Sequence, residues 1–208
     1  MLQNNTPQPG NNLFPVFLKL EELSVLIVGG GNVGLEKLTA VISNSPVTRI
    51  SLVAIAIKDE IKELAQSHKN ISISERAFEA NDLNGVDIVI IAVNDPEASM
   101  RIRNEAKQKG KLVNVADKPE MCDFYLSSIV KKGNLKIAIS TNGKSPTIAK
   151  RIKEVINDSI PDEIEDLLNN MQAIRNNMDG DFAEKVRKLN ELTQMLVAKE
   201  GNSENTSL

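Results

Sequence analysis

The 208-residue chain is poor in the side chains that build disulfides and metal cages: it has one cysteine, Cys122, and one histidine, His68. One thiol cannot form an internal disulfide, and one cysteine with one histidine supplies too few ligands for a preformed Cys/His metal site. The sequence therefore predicts no preformed metal site. Any metal chemistry must use carboxylates or the atoms of a substrate.

Long apolar runs are also lacking. No run reaches the roughly 18–20 residues that span a bilayer, and the polar stretch 1–12 has no signal-peptide core. These features predict a cytoplasmic protein with no membrane partner. The formal net charge is only −3, which argues against general nucleic-acid binding.

The charges are unevenly placed along the chain. Residues 117–153 carry eight basic and three acidic side chains, although the whole chain is slightly acidic. A small polyanionic ligand suits such a segment better than a long nucleic acid, which would also meet the acidic remainder. A solvated lysine-rich surface would have the same composition, so charge alone leaves both interpretations open.

The most informative motif present is an apolar strand that runs into a complete G-x-G-x-x-G turn over residues 24–34. Gly29 permits the tight turn, Gly31 lets the backbone approach a phosphate, and Gly34 lets the next helix pack close to the strand. The helix N-terminus then offers free N–H groups to phosphate. The motif predicts a dinucleotide site, with a glycine turn that binds nothing as the alternative.

Strand-like runs alternate with helical patterns through the first half of the chain, at residues 25–28, 50–53, 71–74, 86–93 and 112–115. This βαβ rhythm predicts an α/β fold with a Rossmann-like, doubly wound parallel sheet, in which ligands bind beyond the carboxyl ends of the strands. Beyond Asp117 the rhythm changes to a small α+β segment and then to three helices. The first helix is predicted to begin with Ser145 as N-cap and Pro146 at its first position.

Three further motifs accompany the glycine turn: Asn-Val-Ala-Asp at 114–117, Cys-Asp-Phe at 122–124 and Ala-Ile-Ser-Thr-Asn-Gly-Lys-Ser-Pro at 138–146. Together they resemble the siroheme synthase N-terminal family, and in particular its stand-alone precorrin-2 dehydrogenases and sirohydrochlorin ferrochelatases. The resemblance begins at residues 13–17, where the family has a Pro-containing strand, and continues to about Arg151.

The resemblance implies an organisation and an activity. It implies an NAD-binding Rossmann-like domain over 1–116, a dimerisation and substrate segment over 117–145, a helical domain over 146–200 and a disordered tail over 201–208. It also implies a homodimer that oxidises a tetrapyrrole, precorrin-2, to sirohydrochlorin with NAD⁺ in siroheme biosynthesis. Some members then insert Fe²⁺, as a substrate, to give siroheme.

Asp117 is the expected catalytic residue, because it matches the aspartate that the family uses in dehydrogenation and to which chelation has been assigned. A carboxylate can accept a proton while the nicotinamide accepts the hydride, and it can hold a metal ion transiently. The alternative is an aspartate that only caps the turn before Pro119.

Two further sets of site residues are expected. The cofactor set lies in the glycine turn and at the ends of the second and fourth strands: Gly29, Gly31, Asn32, Val33, Gly34, Ala54, Ile55, Ala92, Val93 and Asn94. The substrate set lies near Asp117 and in a turn that precedes a helix N-terminus, an anion-receptive place: Asn114, Lys118, Ser140, Thr141, Asn142, Gly143, Lys144 and Ser145.

Selectivity and function have open alternatives. The second strand ends without an Asp or Glu for the ribose hydroxyls, so NAD⁺ rests on the resemblance and selectivity against NADP⁺ is open. A non-enzymatic NAD(H)-sensing module would explain the first half of the chain but not the cationic segment. An ordinary small-molecule dehydrogenase usually supplies a His, Lys or Tyr acid/base, and His68 is poorly placed at a predicted helix end. A family member without chelatase activity is the third alternative.

Overall fold

A five-stranded parallel sheet forms the centre of the first part of the chain in the computed structural model, which describes residues 10–193. Its strands are β1 (Ser24–Val28), β2 (Arg49–Ala54), β3 (Ile71–Glu75), β4 (Ile88–Ile91) and β5 (Leu112–Val115). They pair in the order β3-β2-β1-β4-β5. The order reverses between β1 and β4, and the glycine turn therefore leaves the sheet at its topological switch point.

Three helices cover the two faces of this sheet: α1 (Asn32–Asn44), α2 (Asp59–Ser67) and α3 (Pro96–Gln108). Leu38 of α1 and Ile61 of α2 pack in the core on one face, whereas Ile102 of α3 packs on the other. The strand β1 is buried on both faces, which explains why its residues form a continuous apolar run instead of alternating. The predicted doubly wound sheet is confirmed.

Two expectations about strands need correction. Residues 13–17 form no strand: neither sheet of the described residues includes them, and Phe14 is 85% exposed. The fourth strand is shorter than the predicted 86–93, because β1 turns away at Gly29, where φ is +127°. After the bond from Ala92 N to Val28 O, at 2.7 Å, β4 has no neighbouring β1 backbone to pair with.

The later part of the chain contains an antiparallel pair, β6 (Ser128–Lys132) and β7 (Leu135–Ile139), and three helices, α4 (Pro146–Ser159), α5 (Ile164–Asn177) and α6 (Phe182–Thr193). The helix α4 has Pro146 at its first position, as predicted. It packs on β6, and Val130 and Ala149 are buried.

The chain divides into two compact units. Of the described residues, 10–126 and 140–145 form one, and 127–139 and 146–193 form the other. The expected three-part division at residues 116 and 145 remains a prediction, and the predicted tail 201–208 lies outside the described residues. None of the helices within 10–193 has the length and apolar character that a membrane crossing requires.

Replacing Ile61 by alanine tests the packing of α2 on the sheet. Because Ile61 is 0% exposed, Ile61→Ala should lower the free energy of unfolding by about 2–5 kcal/mol, measured by urea denaturation. The exposed Gln66 on the same helix provides the matched control, since Gln66→Ala should change it by less than about 0.5 kcal/mol. Equal effects of the two changes would contradict this packing.

Candidate functional site

A cavity of about 500 Å³ lies at the carboxyl ends of β1, β2 and β4. Five parts of the chain form it: the glycine turn, the end of β2, residues 77–78 after β3, the residues after β4 and one face of α3. Nine residues of the predicted cofactor set line it: Gly29, Gly31, Asn32, Val33, Ala54, Ile55, Ala92, Val93 and Asn94. Gly34, the tenth, is buried in the first turn of α1.

The glycines of the motif meet different steric demands. A Cβ on Gly29 would overlap the carbonyl oxygen of Ala92, and a Cβ on Gly34 would overlap that of Gly29. Gly29 thus lets the turn pass close to the residue after β4, and Gly34 lets α1 pack close to the end of β1. At Gly31 a Cβ would meet nothing within 4 Å, so this glycine borders open space inside the cavity.

Gly30 is a structural requirement that the motif analysis missed. A Cβ there would overlap the carbonyl oxygen of Ala56 and lie 2.9 Å from the Cβ of Ala54. The loop after β2 therefore packs directly against the glycine turn. The amide of Lys58 also donates to the Gly30 carbonyl at 3.0 Å. The run of three consecutive glycines could have indicated this requirement, because the dinucleotide motif needs only the first and the third of them.

The N-terminus of α1 opens toward the cavity. Gly31 is its N-cap and has no capping side chain, and Asn32 and Val33 line the cavity. The first N–H groups of a helix have no partner within the helix, so this end is suited to bind an anion. The ammonium group of Lys58 lies beside it and donates to Asn32 Oδ1 at 2.8 Å.

Two basic side chains lie at the cavity, and each is paired with an acidic neighbour: Lys58 with Glu60 at 3.0 Å and Arg101 with Glu105 at 3.4 Å. Arg101 is the one charged residue in the cavity lining within the described part of the chain, and its guanidinium lies 6.0 Å from the centre of the Phe78 ring. The carboxylate of Glu75, at the end of β3, is already engaged: it accepts from the Ile57 amide at 3.1 Å and pairs with Lys62 at 3.1 Å. The hydrogen bond from Lys62 lowers the pKa of Glu75 and keeps it ionised.

Asp117 lies in a tight turn directly after β5. The Lys118 amide donates to the Val115 carbonyl at 3.3 Å, and the Ala116 amide donates to Ile91 O, at the end of β4, at 2.9 Å. The Asp117 side chain is exposed, and its φ of +58° is in the left-handed region. Such a conformation costs a non-glycine residue about 1–3 kcal/mol and is often found at functional sites.

The turn at 140–145 lies close to the Asp117 turn. Asn142 and Gly143 both have positive φ, 55° and 74°, and Lys144 N donates to Thr141 O at 3.1 Å, as in a type I′ turn. A Cβ on Gly143 would lie 3.6 Å from the ring of Pro119, two residues after Asp117. The structure thus brings together two predicted substrate segments that are separated by more than twenty residues.

The predicted substrate residues differ in their surroundings. Lys144 is exposed, Lys118 is half-buried, and Asn114 is only 7% exposed. The side-chain Nδ2 of Asn114 donates to the Phe124 carbonyl at 2.8 Å, so it fixes the chain that follows Asp117. In the turn at 140–145, Thr141 Oγ1 accepts from the Ser145 amide at 3.2 Å, and Ser140 Oγ accepts from the Asn142 amide at 3.2 Å.

Comparison with known proteins extends this picture. A family model described as putative NAD(P)-binding matches residues 16–128, and a model of the central part of sirohaem biosynthesis proteins matches residues 132–159. A solved structure titled SirC, precorrin-2 dehydrogenase, has a TM-score of 0.69 and 24% identity, covering 86% of this chain and 89% of that one. This structural likeness supports the fold.

Curated relatives match the same region. The siroheme synthase of Methylococcus capsulatus is 34% identical over 147 residues, which are 71% of this chain and 30% of the relative. The siroheme synthase of Ectopseudomonas mendocina is 37% identical over 147 residues, 71% of this chain and 31% of the relative. The chain thus spans about a third of the length of these relatives. It belongs to the NAD(P)-binding family of the siroheme synthase N-terminal region.

Proposed function

We propose that this protein oxidises precorrin-2 to sirohydrochlorin with NAD⁺, a step of siroheme biosynthesis. The observation that carries the proposal is that the Asp117 turn and the cavity lie side by side at one edge of the sheet. The Ala116 amide is hydrogen-bonded to Ile91 O, and Ala92, the next residue, lines the cavity. A proton acceptor and a dinucleotide would then be held at neighbouring strand ends.

The cofactor set binds the dinucleotide in this proposal. The amides of Asn32 and Val33, at the N-terminus of α1, bind the pyrophosphate, and the open space at Gly31 admits it. Ala54 and Ile55 lie along the adenosine, and residues 92–94 line the nicotinamide side. The bound nicotinamide supplies the hydride acceptor that the oxidation requires.

Asp117 accepts the proton that leaves the substrate, from a ring carbon or a pyrrole nitrogen. Its carboxylate is exposed, and the turn that carries it is tied to the sheet on both sides of the residue. Fe²⁺ insertion is a second candidate activity of the same site. The exposure of this carboxylate favours it, because a free oxygen ligand can hold the incoming metal ion.

The turn at 140–145 and Lys118 contribute positive charge for the peripheral carboxylates of the substrate. Lys144 is the best-placed member, because it is exposed in a turn that packs beside Pro119 and therefore near Asp117. The remaining polar groups of this turn, those of Ser140, Thr141, Asn142 and Ser145, can donate or accept hydrogen bonds to the same carboxylates.

A homodimer is part of the proposal. Three apolar side chains on one face of α4 are exposed, Ile148 by 52%, Ile152 by 39% and Val155 by 65%. Their spacing of four and three residues forms an apolar stripe, which a second copy of the chain would cover. Cytoplasmic location remains a prediction from the sequence.

Gly30 and Gly31 form a matched pair that tests nucleotide binding. Gly31→Ala should fold normally but should weaken NAD⁺ binding at least about tenfold in calorimetry, because its methyl group enters the cavity next to the pyrophosphate. Gly30→Ala should instead lower the free energy of unfolding by about 1–3 kcal/mol, because its methyl group overlaps the Ala56 carbonyl. Unchanged NAD⁺ affinity of folded Gly31→Ala would contradict the proposed binding mode.

Asp117→Asn tests the proton acceptor. Asparagine tolerates the left-handed conformation but cannot act as a base, so kcat for precorrin-2 oxidation should fall about 10²–10⁴-fold while the Kd for NAD⁺ is unchanged. The assay is anaerobic incubation with precorrin-2 and NAD⁺, followed by absorbance, with Fe²⁺ then added to test chelation. Glu120→Gln, an exposed neighbour, should retain wild-type kcat. If the wild type binds NAD⁺ but does not oxidise precorrin-2, the proposed function is contradicted, as the NAD(H)-sensing alternative expects.

Salt tests the cationic contacts to the substrate. Raising ionic strength from about 0.1 M to 1 M shortens the screening length from about 10 Å to 3 Å, so the KM for precorrin-2 should rise. Lys144→Gln should raise KM at low salt and flatten this dependence. Lys69→Gln, at the opposite ends of the strands, should leave both unchanged, since Lys69 lies two residues before the start of β3. A KM independent of salt would argue against the cationic segment as the substrate site.

A further inference from the structure

The thiol of Cys122 contacts both ends of the Asp117 turn. Its Sγ accepts a hydrogen bond from the Val115 amide at 3.2 Å and lies 3.2 Å from Val115 O and 3.3 Å from Lys118 O. Val115 and Lys118 are the first and last residues of the turn that carries Asp117. One side chain therefore links the two ends of the turn, in addition to the backbone hydrogen bond that closes it.

The position of Cys122 is itself fixed by its neighbours. The Cys122 amide donates to Pro119 O at 3.1 Å, and Asp123 Oδ2 accepts from the Val113 amide at 2.9 Å, which ties the segment to β5. Lys107 of α3 holds the same carboxylate at 2.7 Å. The thiol is thus held against the turn by contacts to both a strand and a helix.

The hydrogen of the thiol matters to this arrangement. Sulfur carries one hydrogen, so Cys122 donates to one carbonyl at a time while it accepts from the Val115 amide. Burial raises the pKa of the Cys122 thiol, and the side chain therefore keeps its hydrogen at neutral pH. Asn114 Nδ2 approaches the sulfur at 3.5 Å and completes its polar surroundings.

We propose that Cys122 is a positioning residue, whose thiol holds residues 115–118 in the conformation that directs the Asp117 carboxylate for proton transfer. The inference rests on the proposed function and adds to it a requirement for a group that never touches the substrate. An aspartate keeps the left-handed backbone conformation only where the surrounding structure holds it there. Within residues 10–193, Cys122 is the side chain with hydrogen bonds to both ends of this turn.

Removing the thiol should impair turnover and spare cofactor binding. Because a displacement of about 1 Å can reduce a rate about 10²-fold, Cys122→Ala should lower kcat about tenfold to a hundredfold, with the Kd for NAD⁺ changed less than about twofold. Cys122→Ser restores a donor and acceptor and should recover part of the loss. Tyr125→Phe removes a nearby hydroxyl that donates to Pro119 O at 3.4 Å, and it should leave kcat unchanged.

A double-mutant cycle separates positioning from general destabilisation. If Cys122 acts through Asp117, adding Cys122→Ala to Asp117→Asn should lower kcat no further, whereas a merely structural role would give multiplying losses. If Cys122→Ala does not fold, the same cycle with Cys122→Ser decides the question. An unchanged kcat in folded Cys122→Ala, or multiplying losses in either cycle, would overturn the inference.

Hydrogen exchange gives a readout that does not depend on the reaction. In Cys122→Ala the amide of Lys118 should exchange faster, while the amides of residues 29–31 keep their wild-type protection. If the wild type fails to oxidise precorrin-2, the proposed function fails, and the exchange rates alone decide whether Cys122 holds the turn. Unchanged exchange at Lys118 would refute the positioning role whatever the activity of the enzyme.

Discussion

The near-contact between Gly29 and Gly34 is the constraint on which the rest of the first unit depends. Because neither residue has a Cβ, the turn after β1 can pass close to the carbonyl of Ala92, and the first turn of α1 can pack against the carbonyl of Gly29. This packing brings the free N–H groups of the helix to the carboxyl edge of the sheet. A side chain at Gly34 would push α1 away from the end of β1, and a side chain at Gly29 would push the turn away from Ala92, which lines the cavity.

Hydrogen bonds within the sheet also fix the position of the Asp117 turn relative to the cavity. The turn after β5 is tied to β4 through Ile91 O, one residue before the cavity lining. The candidate base and the candidate nucleotide site are therefore related by strand register, and flexible loops do not set their separation. The left-handed conformation of Asp117 opposes folding by about 1–3 kcal/mol, and the contacts of Cys122 offset part of this cost.

The electrostatics of the cavity fit a ligand with a central diphosphate. Lys58 lies beside the N-terminus of α1, Arg101 lines the wall, and no carboxylate lines the cavity in the part of the chain that the structure describes. Glu75, at the end of β3, holds the loop after β2 through the Ile57 amide. A carboxylate of the kind that commonly binds the ribose hydroxyls is thus absent from this lining in the described residues.

The sequence by itself determined the parallel sheet, the glycine turn at its switch point and the start of α4 at Pro146, because apolar periodicity and turn residues act over a few neighbouring positions. It did not reveal that Gly30 must be glycine or that the Cys122 thiol holds the turn. Those features depend on which loop packs against which, and residues 26 positions apart meet at Gly30 and Ala56. Only the tertiary structure decides such contacts, because strand register and helix packing set distances between segments that local sequence patterns do not encode.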